Sequence, residues 1–152
     1  MITTAVKASA ILLLGLSLIP YGAHLFSLPN KIGMSQDAYF TAQRAYDNWA
    51  LLSLIFVPAL IVLVALAVVV RAETTPFVLA VAAAAIFLAT LAVFFAFTYP
   101  ANVATHNWTE VPANWSSWRL QWEYSHAANA LLVLLAFCAT TLSVVLAVPQ
   151  SR

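Results

Sequence analysis

The chain has 152 residues, 64% of them hydrophobic and 7% charged, with a formal net charge of +1 and a mean hydropathy of +0.94. A soluble domain carries about 25% charged residues, so the composition excludes an ordinary soluble domain, and the near-neutral balance argues against nucleic acid as a partner. The single cysteine, Cys138, excludes an intrachain disulfide framework or a cysteine-based metal site. The expected organisation is one integral membrane domain over residues 1–152, with the lipid bilayer as its first partner.

Crossing a bilayer takes about 20 apolar residues of helix, and four runs reach that length. The first covers roughly 8–28. It follows Lys7 as a signal peptide would, but it exceeds the usual h-region of about 7–15 residues and no A-x-A site follows, so it reads as a retained helix. Within it, Pro20 predicts a kink, with Tyr21 and His24 just beyond. A polar stretch, LPNKIGMSQDAYFTAQRAYDN, leads to the second span, roughly 49–70, which Pro58 interrupts. RAETTP at 71–76 joins it to the third span, roughly 77–99, where Ala82, Ala85, Ala89, Ala92 and Ala96 share one face. Small residues let membrane helices approach closely, which predicts a packing face there. A second polar stretch, PANVATHNWTEVPANWSSWRLQW, precedes the fourth span, roughly 124–147, whose helix is expected to start early, near Asn114 or Ser117.

The prediction is an all-α fold: a four-transmembrane-helix bundle with two long polar loops on one membrane face. Loops of that length carry site residues more often than they merely connect. SLPNK after the first span and TYPAN after the third echo one another, as two helices each stopped near a proline would. Lys7, Arg71 and Arg152 lie with the termini, and Lys31, Arg44 and Arg119 with the long loops, so the positive-inside count does not choose an orientation. The free amino terminus favours cytoplasmic termini in a multi-pass protein of the bacterial inner membrane. The sequons at Asn107 and Asn114 bear only on a chain made in a eukaryotic secretory pathway.

All three histidines fall near the long-loop face, and QWEYSHAAN at 121–129 sets Glu123 and His126 at the mouth of the last span. Arg119, Trp122, His126 and Asn129 follow at steps of three, four and three, one stripe of a helix. Charges within membrane helices usually face the bundle interior or pair with each other. Arg119 and Glu123 are therefore expected to pair, or each to find a polar partner from the first long loop, such as Asp47 or Arg44; the alternative is a pair that only anchors the helix end. The kinks at Pro20 and Pro58 would open a pocket under Trp118 and Trp122, unless neighbouring helices repack around them. His126, His24 and Glu123 are the candidate acid–base groups. Arg119, Trp118, Trp122, Asn102 and Tyr21 are the candidate substrate contacts. His24, His126, His106 and Glu123 suffice for one metal ion if they converge, and His24 with His126 could ligate haem. The lone Glu-x-x-His falls short of a di-iron site. No spacing selects a cofactor, so none is assigned.

AHLFSLPNKIGMSQDAYFTAQRAYDNWAL and YPANVATHNWTEVPANWSSWRLQWEYSHAANALL resemble the small four-span membrane proteins grouped with anthrone oxygenases. The matching pattern is an Asn after the third span, a Trp/Arg-rich amphipathic stretch, then a Trp and a His opening the last span: here Asn102, Trp118, Arg119, Trp122 and His126. The resemblance implies a four-helix membrane fold. Fungal members are associated with oxidising anthrones to anthraquinones without a known cofactor, while most bacterial members have no known function. It thus implies an oxygenase or related enzyme acting on a lipophilic aromatic substrate. The other readings are a binder or transporter of a lipophilic small molecule, and an accessory subunit with a membrane protein partner or in a homo-oligomer. The apolar short-loop half counts against a conducting path.

Overall fold

A computed structural model describes residues 2–148; Met1 and residues 149–152, including the Arg152 of the charge count, lie outside the described residues. Helix α1 runs Ile2–Lys31 and α2 Gln36–Gln43. Two 3-10 segments, Arg44–Tyr46 and Trp49–Ile55, lead into α3, Phe56–Val69. Helix α4, Thr74–Val93, passes through a π-helical turn, Phe94–Thr98, into α5, Tyr99–Ala104. Helix α6 spans Trp115–Leu146, so it does begin ahead of its apolar run. Four stretches are long and apolar enough to cross a membrane: Ile2–Lys31, Trp49–Val69, Thr74–Ala104 and Trp115–Leu146. The fold is an all-α four-helix bundle of a multi-pass membrane protein.

Helix α6 packs on both α1 and α4, and α3 closes the ring against those same two helices. The middle of the core is Leu14, Ala59, Leu63, Phe87, Val133 and Ala136, with Phe56 stacked on Phe87 at 4.6 Å. The short-loop end is closed by Ala10, Leu66, Val70, Ala80 and Ala147. There the Val148 amide donates to Glu73 Oε2 at 2.7 Å, tying the end of α6 to the α3–α4 turn. Outside, Leu12, Ile19, Phe26, Ile61, Leu135 and Val145 are each more than half exposed. A belt of that kind is stable against lipid rather than water.

One expectation needs correction here. The alanine face of α4 points the other way: Ala85, Ala89, Ala92 and Ala96 are exposed, while Ala80, Ala83, Phe87 and Thr90 are buried. The inward face is the one that offers large Phe87 to the core and Thr90 to the polar layer. Both spans stay helical past their prolines: α1 continues through Pro20 and Pro29, and Pro58 is the third residue of α3, just past the change from the 3-10 run Trp49–Ile55. A further departure from α geometry follows in the third span. The π turn stands immediately before Tyr99 and Pro100, and Gln121 Nε2 donates to the Phe97 carbonyl beside it at 2.9 Å.

Leucine substitutions separate the two faces of α4. Ala83→Leu overpacks the core and should cost about 1–3 kcal/mol, whereas Ala89→Leu should stay within about 0.5 kcal/mol. Equilibrium unfolding in detergent measures both.

Candidate functional site

The inward face of α1 steps through Ala10, Leu14, Ser17, Tyr21, His24 and Lys31, apolar below and polar above. Helix α6 faces it with Trp122, His126, Asn129, Val133 and Ala136 in the opposite order. The two helices run antiparallel, so their polar ends meet at the long-loop face. Helix α1 extends about one turn and α6 about two and a half turns beyond the apolar runs, and the first charged residues fall where the helices still touch.

The centre of this layer is an ion pair. Lys31 Nζ lies 2.8 Å from Glu123 Oε1, and the side chains are 5% and 0% exposed. The ammonium is at ion-pair distance without an aligned N–H···O hydrogen bond. It stands over the Tyr46 and Trp122 rings, 4.6 and 4.9 Å from their centroids, so cation–π attraction supplies part of its lost solvation. Tyr39 Oη donates to the same Oε1 at 2.9 Å, and Gln43 Nε2 donates to Tyr39 Oη at 3.1 Å. Burial and the neighbouring Glu123 carboxylate push the Tyr39 phenol far above its ordinary pKa.

Directly below the pair, His24 and His126 stack with centroids 4.0 Å apart. Trp122 contacts both, at 4.9 Å and 4.2 Å. Tyr46 and Trp49 pack on His24 at 4.3 and 5.6 Å, and Tyr21 lies 6.5 Å from His126. Nδ1 of each imidazole is buried with no protein hydrogen-bond partner, as are both amide atoms of Asn129, one turn deeper on α6. Trp122 Nε1 donates to Asn102 Oδ1 at 2.8 Å, which fixes the indole and joins α5 to the layer.

The second loop folds over this layer. His106, Asn107 and Trp108 all adopt positive φ, at 45°, 54° and 63°. Non-glycine residues in that region store strain and persist only where surroundings hold them. The Thr105 hydroxyl accepts the Trp108 amide, Asn107 N–H donates to the Asn102 carbonyl at 2.7 Å, and Arg44 Nη2 donates to the Asn107 carbonyl at 2.7 Å. The turn thereby drives Trp108, 4% exposed, against Tyr39 and Trp122.

His24, His126, Glu123, Trp122, Asn102 and Tyr21 are thus brought to one layer, as the sequence suggested. Arg119 and Glu123 do not pair with each other; each instead takes the expected alternative, a polar partner from the first long loop. Arg119 Nη1 donates to the Met34 carbonyl at 2.7 Å, its guanidinium covers Trp115 and Tyr39 at 4.7 and 5.6 Å, and Glu123 accepts from Tyr39. Lys31 already holds Glu123, so Arg119 is left to clamp the first loop. Arg44 and Asp47 serve neither charge and lie 3.5 Å from each other. His106 is 67% exposed beside Glu110, and among the described residues no three His, Cys, Asp or Glu side chains gather as a metal would need. The rings of His24 and His126 face each other directly, which leaves no place for a haem between them in this arrangement.

The pocket also differs from the expectation. Trp118 is half-buried, donates to Asn114 Oδ1 at 3.1 Å and packs on the Tyr39–Trp108–Trp122 cluster rather than roofing the histidines. A cavity of about 370 Å³ sits among Phe40, Arg44, Trp108 and Val111 in the loops. Another, of about 470 Å³, opens sideways among Val93, Phe97, Leu120 and Tyr124. Around the histidines the space is taken by Tyr46, Trp49 and Trp122.

Lys31, Tyr39, Gln43 and Trp108 are site residues that the sequence reading missed. A signal for Lys31 was present: 10, 14, 17, 21, 24, 28 and 31 step by four and three, placing it on the His24 face. Comparison with protein-family models, with curated proteins and with solved structures gives no match.

Two stability outcomes follow. Lys31→Met leaves Glu123 buried and unpaired and should cost about 3–5 kcal/mol, while the double variant Lys31→Met, Glu123→Leu should recover most of that loss; equilibrium unfolding in detergent compares the two. The second concerns alkaline pH. Folded Tyr39 keeps its proton where the unfolded chain releases one near the ordinary tyrosine value of about 10. Stability should therefore fall as pH rises above that value, and this part of the slope should vanish in Tyr39→Phe.

Proposed function

We propose that this chain is a membrane-embedded enzyme of the anthrone-oxygenase kind, in the bacterial inner membrane, acting on a lipophilic aromatic substrate with an acidic methylene. The observation that supports it is the buried His24–His126 pair, with centroids 4.0 Å apart beside the Lys31–Glu123 ion pair. Buried ionisable groups within membrane helices are costly and usually serve function.

Each imidazole has an Nδ1 that no protein group engages, so an uncharged ring offers a free nitrogen to a substrate proton. The carbanion formed is electron-rich enough to react with dioxygen. Overall the methylene loses two hydrogens, one oxygen atom becomes the new carbonyl oxygen and the other leaves as water. The cation facing the developing anion is Lys31 rather than Arg119, since Arg119 is engaged with Met34. Glu123 holds Lys31 in place, and preorganised charge of this kind is an effective stabiliser in a dry site. Substrate must displace an aromatic neighbour to reach the pair. The segment that fits this role is Trp49–Ile55, whose Trp49 covers His24. It is a long 3-10 run without buried residues, and such runs are often hinges.

The close packing of the rings favours a second reading, a non-catalytic cap in an accessory subunit that docks on a membrane protein partner. Oxygen uptake with anthrone-like compounds in nanodiscs distinguishes the two. The enzyme reading expects uptake by the wild type, a loss of about 100-fold or more in His126→Ala and a comparable loss in Lys31→Met if that variant folds. No uptake with any such compound, together with co-purification of a stoichiometric membrane protein, would replace it with the accessory-subunit reading.

A further inference from the structure

The proposed chemistry makes no use of Tyr39 or Gln43, and neither does the span architecture require them. Both are buried polar residues, 0% and 2% exposed, on the short helix α2. Tyr39 differs in its surroundings from every other tyrosine. Among the described residues it is the one whose hydroxyl donates to a carboxylate, Glu123 Oε1, at 2.9 Å. Its oxygen also accepts from Gln43 Nε2 at 3.1 Å. Tyr46, by contrast, shares a hydrogen bond only with the Ser27 hydroxyl.

Tyr39 is also joined to the histidine pair by rings in near contact. Tyr39 to Trp108 is 5.1 Å between centroids, Trp108 to Trp122 is 5.7 Å, and Trp122 to His126 is 4.2 Å. Aromatic side chains this close exchange electrons readily. We propose that Tyr39 is a redox-active tyrosine, the terminus of a Trp122–Trp108–Tyr39 chain that carries one-electron oxidising equivalents away from the histidine pair.

The charges around the chain set its direction. Lys31 lies over the Trp122 and Tyr46 rings, so a radical cation on either is disfavoured by like charge. Tyr39 carries no charge on its ring because it gives up its proton as it gives up its electron; the radical left behind is neutral, and the added positive charge stays at the Lys31–Glu123 pair. The Arg119 guanidinium 5.6 Å from its ring therefore does not oppose it. In the step itself, a one-electron oxidant takes an electron from Tyr39 through Trp108 and Trp122, and the phenolic proton passes along the existing hydrogen bond to Glu123. The products are a neutral tyrosyl radical, a protonated Glu123 and the reduced oxidant. Gln43 remains as a donor to the radical oxygen, and re-reduction returns the proton by the same bond. The oxidant is a peroxyl radical formed from substrate and dioxygen at the pair, and in that respect the inference rests on the oxygenase reading. Its benefit is that a stray oxidant ends on one hydrogen-bonded phenol rather than on Trp122 or the histidines.

The chain can be tested without turnover. A photogenerated one-electron oxidant is flashed with the purified protein in nanodiscs, and the radical is trapped by freezing and identified by electron paramagnetic resonance. The expected result is a neutral tyrosyl signal in the wild type that is lost in Tyr39→Phe and kept in Tyr21→Phe and Tyr46→Phe. Trp108→Phe should delay its appearance without removing it, and this variant decides the matter if Tyr39→Phe does not fold. A wild type that yields only tryptophan radicals, a tyrosyl signal that survives in Tyr39→Phe, or unchanged formation kinetics in Trp108→Phe would overturn the inference. Oxygen uptake plays no part in the readout, so a tyrosyl radical without uptake would sink the proposed function alone.

Discussion

The rest of the cap depends on one buried ion pair. Lys31 ends α1, Glu123 lies in the third turn of α6, and both are buried away from solvent. A lone charge in that place would cost several kcal/mol, so the two helix ends are held in one register. That register sets His24 against His126 one to two turns below, and it sets Trp122 above both. The same carboxylate oxygen draws in Tyr39, which brings α2 and the first long loop down onto the bundle. Arg119 then clamps that loop at Met34. Two long loops that would otherwise wave in solvent become a lid through contacts that trace back to Glu123.

Below the histidines the character of the interior changes. Asn129 and Thr90 are fully buried, but the next layer is Leu14, Leu63, Phe87 and Val133. Several hydroxyls deeper in the bundle donate to carbonyls, Ser17 to Leu13, Thr141 to Phe137 and Ser143 to Pro76, while Thr140 Oγ1 is buried without a partner. The polar layer is thus a packed cap over an apolar floor. A continuous path for ions would need ionisable or hydrated groups through that floor, and the described residues supply none there.

Much of the fold was legible because the bilayer imposes a length and a composition that few other constraints can mimic. The four spans, the early start of α6 and the gathering of polar residues at one end follow from hydropathy and loop length. Lys31 was hidden because the apolar run stops near residue 28, which makes the lysine look like a loop charge although α1 continues through Pro29. Once Lys31 was assigned to the loop, Arg119 became the natural partner for Glu123 by helical spacing alone. Spacing shows which residues share a face, but it cannot show which competitor arrives from another helix. The alanine face of α4 failed for a related reason. Small residues permit close approach, yet Phe87 and Thr90 on the adjoining face gave the core more to bury. Tyr39, Gln43 and Trp108 were beyond reach because their burial depends on how two loops fold over each other, and the left-handed turn at 106–108 has no glycine to announce it.

The ion pair itself can be observed directly. Solid-state nuclear magnetic resonance on protein in lipid bilayers, with labelled lysine nitrogen and glutamate side-chain carboxyl carbon, measures the dipolar coupling between the two side chains. With Lys31 Nζ 2.8 Å from Glu123 Oε1, the account predicts one strong coupling that Arg119→Lys leaves in place and Glu123→Gln abolishes. A lysine nitrogen that couples to water and to no carboxylate would contradict it, and the alignment of the two histidines would then need another cause.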